Sequence, residues 1–248
     1  MPPPPGRHRF PRRHPAAAAA ALLVLASGCS SSDPLAGSGT SAVPSPTASA
    51  PAGSSPAAGT TTCDYPAAPP AAKPVDPPPG TGVSTKGTVR YTLAMTGGPV
   101  TVTLDRTTAP CTVNSFASLA DQHYFDGTRC HRLADSGIFI LQCGDPTATG
   151  SGGPGYSFAD ETTGKKSYTS GVVAMANAGP DTNGSQFFLI WEDSSPLDAQ
   201  PNYTIFGRMD KASRDVVAQM AGEGQDGSYG DGTGKPNNPS EISTVTRG

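Results

Sequence analysis

The chain of 248 residues is short of charge and of rings: charged residues make up 15%, aromatic residues 6%, and there is one Trp. So little charge does not fit a typical disordered protein. After the four arginines at positions 7, 9, 12 and 13, only 13 basic side chains stand against 20 acidic ones, so there is no basic stripe to neutralise phosphates. Nucleic acid is thereby excluded as a partner. The four histidines (His8, His14, His123, His131) have no metal-ligand spacing. Gly150-Ser151-Gly152-Gly153-Pro154-Gly155 lacks the Gly-Lys-Ser/Thr ending of a phosphate loop and reads as a mobile surface turn. Asp226, Ser228 and Asp231 lack the closing Glu of an EF-hand, and Asn183-Gly184-Ser185-Gln186 is not a nucleophile elbow. No cofactor and no metal are expected.

Gly and Pro are in excess, at 30 and 27 residues, more than one ordinary globular domain carries. They are unevenly placed. Eighteen of the prolines fall at or before Pro79, whereas 14 of the 16 aromatics fall at or after Tyr91. The chain therefore divides near residue 85, and only the second part can bury a core. At the start, a basic stretch (Arg7 to His14) precedes an apolar one (Ala16 to Ala26) of about eleven residues, well short of the ~20 that span a bilayer. Small residues follow, then Cys29. This order predicts a secretory signal over 1–28. Cys29 after Ser27-Gly28 resembles a bacterial lipobox, which implies lipidation at Cys29 and a place on the outer face of the cell membrane. Residues 29–85, rich in Ser, Ala, Pro, Thr and Gly without apolar periodicity, are expected to be a disordered tether with a reach of about 40 Å.

Export makes disulfides the default for the four remaining cysteines, Cys63, Cys111, Cys130 and Cys143. Three connectivities are open. One of them joins Cys130 to Cys143 across an expected hairpin and leaves Cys63 for Cys111. A Cys130–His131 catalytic pair is disfavoured, because neighbours on a strand point to opposite faces.

In residues 86–248, Val89, Tyr91, Leu93 and Met95 alternate with polar residues, Gly97-Gly98 turns the chain, and Val100, Val102 and Leu104 alternate again: a hairpin with one buried face. Thr108 as cap, Pro110 in the first turn and Val113, Phe116, Leu119 and Ala120 predict a helix ending near His123. Further apolar runs lie at 138–141, 172–176, 187–191, 203–206 and 242–245, with a second helix at about 212–220. About eight strands and two helices predict a mainly β domain, an antiparallel barrel with helices over its ends.

The strongest motif is Met175-Ala176-Asn177-Ala178-Gly179-Pro180-Asp181-Thr182-Asn183-Gly184-Ser185-Gln186-Phe187-Phe188, preceded by His131-Arg132, Phe139-Ile140-Leu141-Gln142 and Tyr124-Phe125-Asp126-Gly127-Thr128. With these residues the chain resembles the cyclophilins, peptidyl-prolyl isomerases with an eight-stranded barrel closed by two helices. The resemblance covers about residues 86–248. It implies that Arg132 is the catalytic arginine, that Phe139, Ile140, Phe188 and Leu197 take the proline ring, and that Gln142, Ala176, Asn177 and Gln186 hold the peptide backbone. Tyr203 stands where many members have His. Two extra residues within Ala134-Asp135-Ser136-Gly137 make the turn before Phe139 differ from the family pattern.

The resemblance implies isomerisation of X-Pro bonds in proline-containing peptides and unfolded exported proteins, by a monomer held to the membrane only through its lipid. An arginine, amides and an apolar pocket without paired carboxylates suit rotation about an amide rather than hydrolysis. The competing reading is a tethered module that binds proline peptides with little turnover. Pro196 occupies the place of the family's tryptophan associated with cyclosporin binding, and weak inhibition by cyclosporin is expected in a titration; tight nanomolar inhibition would contradict this.

Overall fold

The computed structural model describes residues 57–162, 164, 166–199 and 202–248. The expected signal over 1–28, the lipidated Cys29 and the tether over 29–56 lie outside them. A two-stranded ribbon comes first, β1 (Thr60–Thr61) paired with β2 (Val83–Ser84). Then follow β3 (Thr88–Met95), β4 (Gly98–Asp105), α1 (Pro110–Asp121), β5 (Thr128–Arg129), β6 (Arg132–Ser136) and β7 (Ile138–Cys143). The chain ends with β8 (Val172–Met175), β9 (Phe187–Ile190), β10 (Ile205–Met209), α2 (Lys211–Ala221) and β11 (Glu241–Arg247).

The last nine strands form one antiparallel sheet in the order β5-β11-β3-β4-β10-β8-β9-β7-β6. Its first and last members are two halves of one stretch, 128–136. At the break, the Cys130 amide donates to Ser240 O on one side and the His131 amide to Gln142 O on the other. The sheet thus returns to its own start, and the nine segments amount to the eight strand positions that the sequence suggests.

One set of alternate side chains fills the interior. Val89, Tyr91, Leu93 and Met95 of β3, with Val100, Val102 and Leu104 of β4, are buried there as the alternation predicts. Phe116 of α1 sits among Tyr91, Phe125, Phe187 and Phe206, with ring centroids 5.0–5.7 Å apart. Val217, Met220 and Ala221 of α2 join the same core. Gly97 lies under α2: a Cβ there would come within 2.6 Å of Met220 Cγ, so the close approach requires glycine.

The helix starts differ from one another. Asp210 caps α2, accepting from the Ser213 amide at 2.8 Å. Thr108 does not cap α1; its hydroxyl is turned to Asp105, and Ala109 occupies the N-cap. The cap comes from Glu161, remote in sequence, whose carboxylate accepts from the Cys111 and Thr112 amides and the Thr112 hydroxyl at 2.8–3.0 Å.

The expectation of a free tether up to residue 85 is corrected for residues 57–85. Cys63 is disulfide-bonded to Cys111 of α1, and Cys130 to Cys143. The Tyr65 hydroxyl donates to Cys111 O, Gln122 exchanges hydrogen bonds with both backbone groups of Asp76, and Lys73 Nζ donates to the His123 carbonyl. A segment without a core of its own is ordered here by fastening it to one that exists.

Because Glu161 satisfies two orphan amides of α1, Glu161→Ala is expected to lower the unfolding free energy by about 1–2 kcal/mol in urea denaturation, with the m-value unchanged.

Candidate functional site

The outward face of β6–β7–β9–β8–β10 carries the candidate residues. Register places Arg132 opposite Gln142, Gln142 opposite Phe188, Phe188 opposite Ala174 and Ala174 opposite Ile205, in one row across five strands. Arg132 and Phe188 are thus two strand spacings apart, roughly 10 Å between backbones, with Gln142 between them. The neighbouring row is Ala134–Ile140–Ile190. Ala134, Ile140, Tyr168, Val172, Ala174, Ala176, Phe188 and Ile190 form a second apolar cluster outside the barrel core, with Ile138, Leu197, Tyr203 and Ile205 packed on it. The Tyr203 ring meets Phe188 edge-on at 5.1 Å. Tyr203 is fixed by its backbone, whose carbonyl accepts from the Tyr168 hydroxyl while its amide donates to the same oxygen.

Arg132 is one-third exposed and held from one side. Its Nε donates to Thr233 Oγ1 at 2.9 Å and its Nη2 to Asp231 Oδ2 at 2.8 Å. Asp231 in turn accepts from the Thr233 amide and hydroxyl; these bonds, the hydroxyl's foremost, with the Arg132 charge, hold its carboxyl below the usual range. The Gly-rich loop 222–239 is therefore a brace for the arginine. It is tied along β6 by a bridge between Gly234 and Leu133 and by the Tyr229 hydroxyl donating to His131 O.

The amides form a chain. Gln142 Nε2 donates to Gln186 Oε1 (2.8 Å), and Gln186 Nε2 donates to the Gly150 and Gly152 carbonyls. These two carbonyls fix which way Gln186 faces, and so which way Gln142 faces, leaving Gln142 Oε1 without a donor among the described residues. Loop 145–152 is wound about the fully buried Asp145, which accepts from the amides of Thr147, Thr149, Gly150 and Gly152 and two threonine hydroxyls. Burial alone pushes the Asp145 carboxyl up, but these hydrogen bonds outweigh it and the group stays below its ordinary value. The stretch 150–155 is thus pinned rather than a mobile turn. Asp160 does the same for the loop after β8, accepting from Asn177, Asn183 and the Asp181 amide. Asn177 also donates to Asn202 O, and the Ala176 amide to Gln186 O.

Arg132, Ile140, Gln142, Ala176, Asn177, Gln186, Phe188, Leu197 and Tyr203 are brought to this one face. Phe139 is not. The two extra residues lengthen the β6–β7 hairpin, so that Phe139 still lies in the ladder opposite Asp135 and takes the parity of Leu141, away from Phe188. Its ring packs edge-on against Trp191 at 5.1 Å. Ile138 packs on the outer cluster instead. Counting the ladder back from Gln142 by twos finds Ile138; the roles of Asp145, Asp160 and Asp231 carry no local signal.

A closed antiparallel barrel bearing an arginine, a row of amides and an apolar patch on its outer face defines a cyclophilin-like isomerase domain, and comparison with known proteins agrees. The family described as "Cyclophilin type peptidyl-prolyl cis-trans isomerase/CLD" matches residues 90–247, and the chain belongs to that family. It is 44% identical over 185 residues to the probable peptidyl-prolyl cis-trans isomerase B of Mycobacterium leprae, covering 66% of this chain and 62% of that protein. The Mycobacterium tuberculosis counterpart is 43% identical over 185 residues, covering 66% and 59%. The chain thus spans about six tenths of the length of these curated relatives. Among solved structures, a cyclophilin type peptidyl-prolyl cis-trans isomerase of Cryptosporidium parvum superposes with a TM-score of 0.58 at 27% identity, covering 65% of this chain and 98% of that one. A second structure of that protein, in the presence of the dipeptide Ala-Pro, gives 0.55 at 28% identity over 63% and 97%.

His131 lies beneath this face, 3% exposed, with neither ring nitrogen hydrogen-bonded among the described residues. Burial holds its pKa below the ordinary 6.5, against the opposing pull of Asp145. A histidine kept neutral by the fold contributes stability that is present above about pH 6.5 and lost as the pH falls through its folded value. Thermal melts should therefore show stability declining on acidification below about pH 6.5, and His131→Gln should flatten that decline. An unchanged slope in the variant would show that other groups cause it.

Proposed function

We propose that this protein is a peptidyl-prolyl cis-trans isomerase that accelerates rotation about X-Pro bonds in exported proteins. The observation that carries the reading is the single row joining Arg132, Gln142 and Phe188 on a face whose apolar cluster lies beside the arginine. An X-Pro amide turns over in tens of seconds unaided because twisting it breaks resonance, with a barrier of about 20 kcal/mol. Nothing covalent is needed, only a site that binds the twisted amide better than either planar form. Ile140, Phe188, Leu197 and Tyr203 supply a wall for the proline ring. Gln142, Gln186 and Asn177 supply donors and acceptors for the flanking backbone. As the amide twists, its nitrogen pyramidalises and gains basicity, and the Arg132 guanidinium donates to it. Asp231 and Thr233 hold two of the guanidinium nitrogens, so the group is oriented before the peptide arrives.

The setting is part of the same proposal. Residues 1–28 act as an export signal, and Cys29 becomes the lipidated mature N-terminus, placing a monomeric domain at the outer face of the membrane, where it acts on unfolded exported chains. Four cysteines all engaged in disulfides support an oxidising compartment.

In a proline-isomerisation assay on a short X-Pro peptide, the wild type is expected to accelerate exchange, and Arg132→Ala to lower kcat/KM by about 10²-fold or more with the fold intact by circular dichroism. Arg132→Lys recovers little, because a point charge does not reproduce the fork. Peptide binding without acceleration would favour the docking-module reading. Mass spectrometry of the mature protein is expected to find lipid on Cys29, and a Cys29 present but unlipidated would contradict the anchor.

A further inference from the structure

A cavity of about 580 Å³ opens beside the amide row, bordered by Gln142, Ala176, Asn177 and Gln186 and by loop 150–157. Ala178, Thr182, Gly184 and Ser185 continue that border, and the rest is supplied by Ala68, Pro69 and Pro70, which lie before residue 90, where the family match begins. This stretch is docked along loop 153–157 by an isolated antiparallel bridge between Ala67 and Tyr156 and by further backbone hydrogen bonds. The Ala68 amide donates to Gly155 O (2.8 Å), the Ser157 amide to Pro66 O (3.0 Å) and the Ala72 amide to Gly153 O (2.8 Å). A Cβ on Gly155 would come within 2.8 Å of Ala71 Cβ, so loop and segment fit only with glycine at that position. The Cys63–Cys111 bond fastens one flank, and the Lys73 and Asp76 contacts with His123, Tyr124 and Gln122 fasten the other. Ala68, Pro69 and Pro70 are themselves exposed, and the cavity between them and the amides is open.

We propose that Ala68, Pro69 and Pro70 form a wall of the peptide-binding groove and determine specificity for substrate residues on one side of the isomerised proline. The proposal rests on the isomerase reading, because it takes Gln142, Ala176, Asn177 and Gln186 as the holders of the peptide backbone. A peptide held by those amides continues into the cavity that they share with the segment. The wall is apolar and stiff: prolines present CH₂ surface and lose little freedom on contact, so apolar flanking residues gain most from it. The cavity is open, so the segment borders the peptide's path and does not plug it.

The test uses the full chain and three peptides: a four-residue X-Pro peptide and the same peptide lengthened by three apolar residues at either its N-terminal or its C-terminal end. The readout is the ratio of kcat/KM for each lengthened peptide to that for the short one. In Pro69→Ser/Pro70→Ser that ratio is expected to fall about fivefold for one of the two lengthened peptides, through KM, and to hold for the other. Pro74→Ser, in the same segment but not bordering the cavity, should keep both ratios at the wild-type value. Ala68→Glu should shift preference about threefold toward a lengthened peptide carrying Lys over one carrying Glu in the same extension. Ratios unmoved by both Pro69→Ser/Pro70→Ser and Ala68→Glu would overturn the proposal. Failure to turn over even the four-residue peptide would instead remove the isomerase reading beneath it.

Discussion

In β6 and β7 every second side chain points inward and every other one outward, and because the sheet returns to its start through residues 128–136, the inward set is sealed from water. Leu133, Leu141 and Leu189 go to the core, while Arg132, Ile140, Gln142 and Phe188 go outside. This division lets one short run of sequence stabilise the barrel and furnish a site, with no residue asked to do both. It also makes the site intolerant of a one-residue slip, which would bury the Arg132 charge. The lengthened hairpin shows the rule at work: two extra residues preserve the parity of Gln142, yet the regular pairing turns Phe139 toward Trp191 and brings Ile138 to the outer face.

A flat outer face would leave its polar groups to water. Carboxylates set back from the apolar patch prevent this, each organising a loop that touches a site residue. Asp145 winds loop 145–152, whose carbonyls hold Gln186 and through it Gln142. Asp160 steadies Asn177, and Asp231 holds the guanidinium of Arg132. The acids thus act as acceptors for backbone and side-chain donors, and the groups meeting substrate are the arginine and neutral amides. That is the preorganisation expected where a dipole changes little in charge but much in direction.

The period-two pattern of β3 and β4, Pro110 at the start of α1 and the second helix at about 212–220 were all legible in the sequence, because each is decided within a few residues. Of the candidate residues that the family resemblance implies, the ladder register brings Arg132, Gln142 and Phe188 into one row. What escaped has partners far along the chain. Glu161 caps a helix about fifty residues upstream of itself, and Asp231 reaches Arg132 from a loop 99 residues away. Residues 57–85 carry no core pattern of their own. Their order comes from Cys63–Cys111 and from hydrogen bonds to α1 and loop 153–157, none of which composition reveals.

The central claim is that the proline ring sits on the outer cluster with its amide under Arg132. A crystal structure of the protein with a bound X-Pro peptide tests it most directly. The account requires the ring against Phe188, Ile140 and Tyr203, with a guanidinium nitrogen of Arg132 within hydrogen-bonding distance of the prolyl amide. A peptide seated instead on the Phe139–Trp191 pair, or with its prolyl amide out of reach of Arg132, would contradict it.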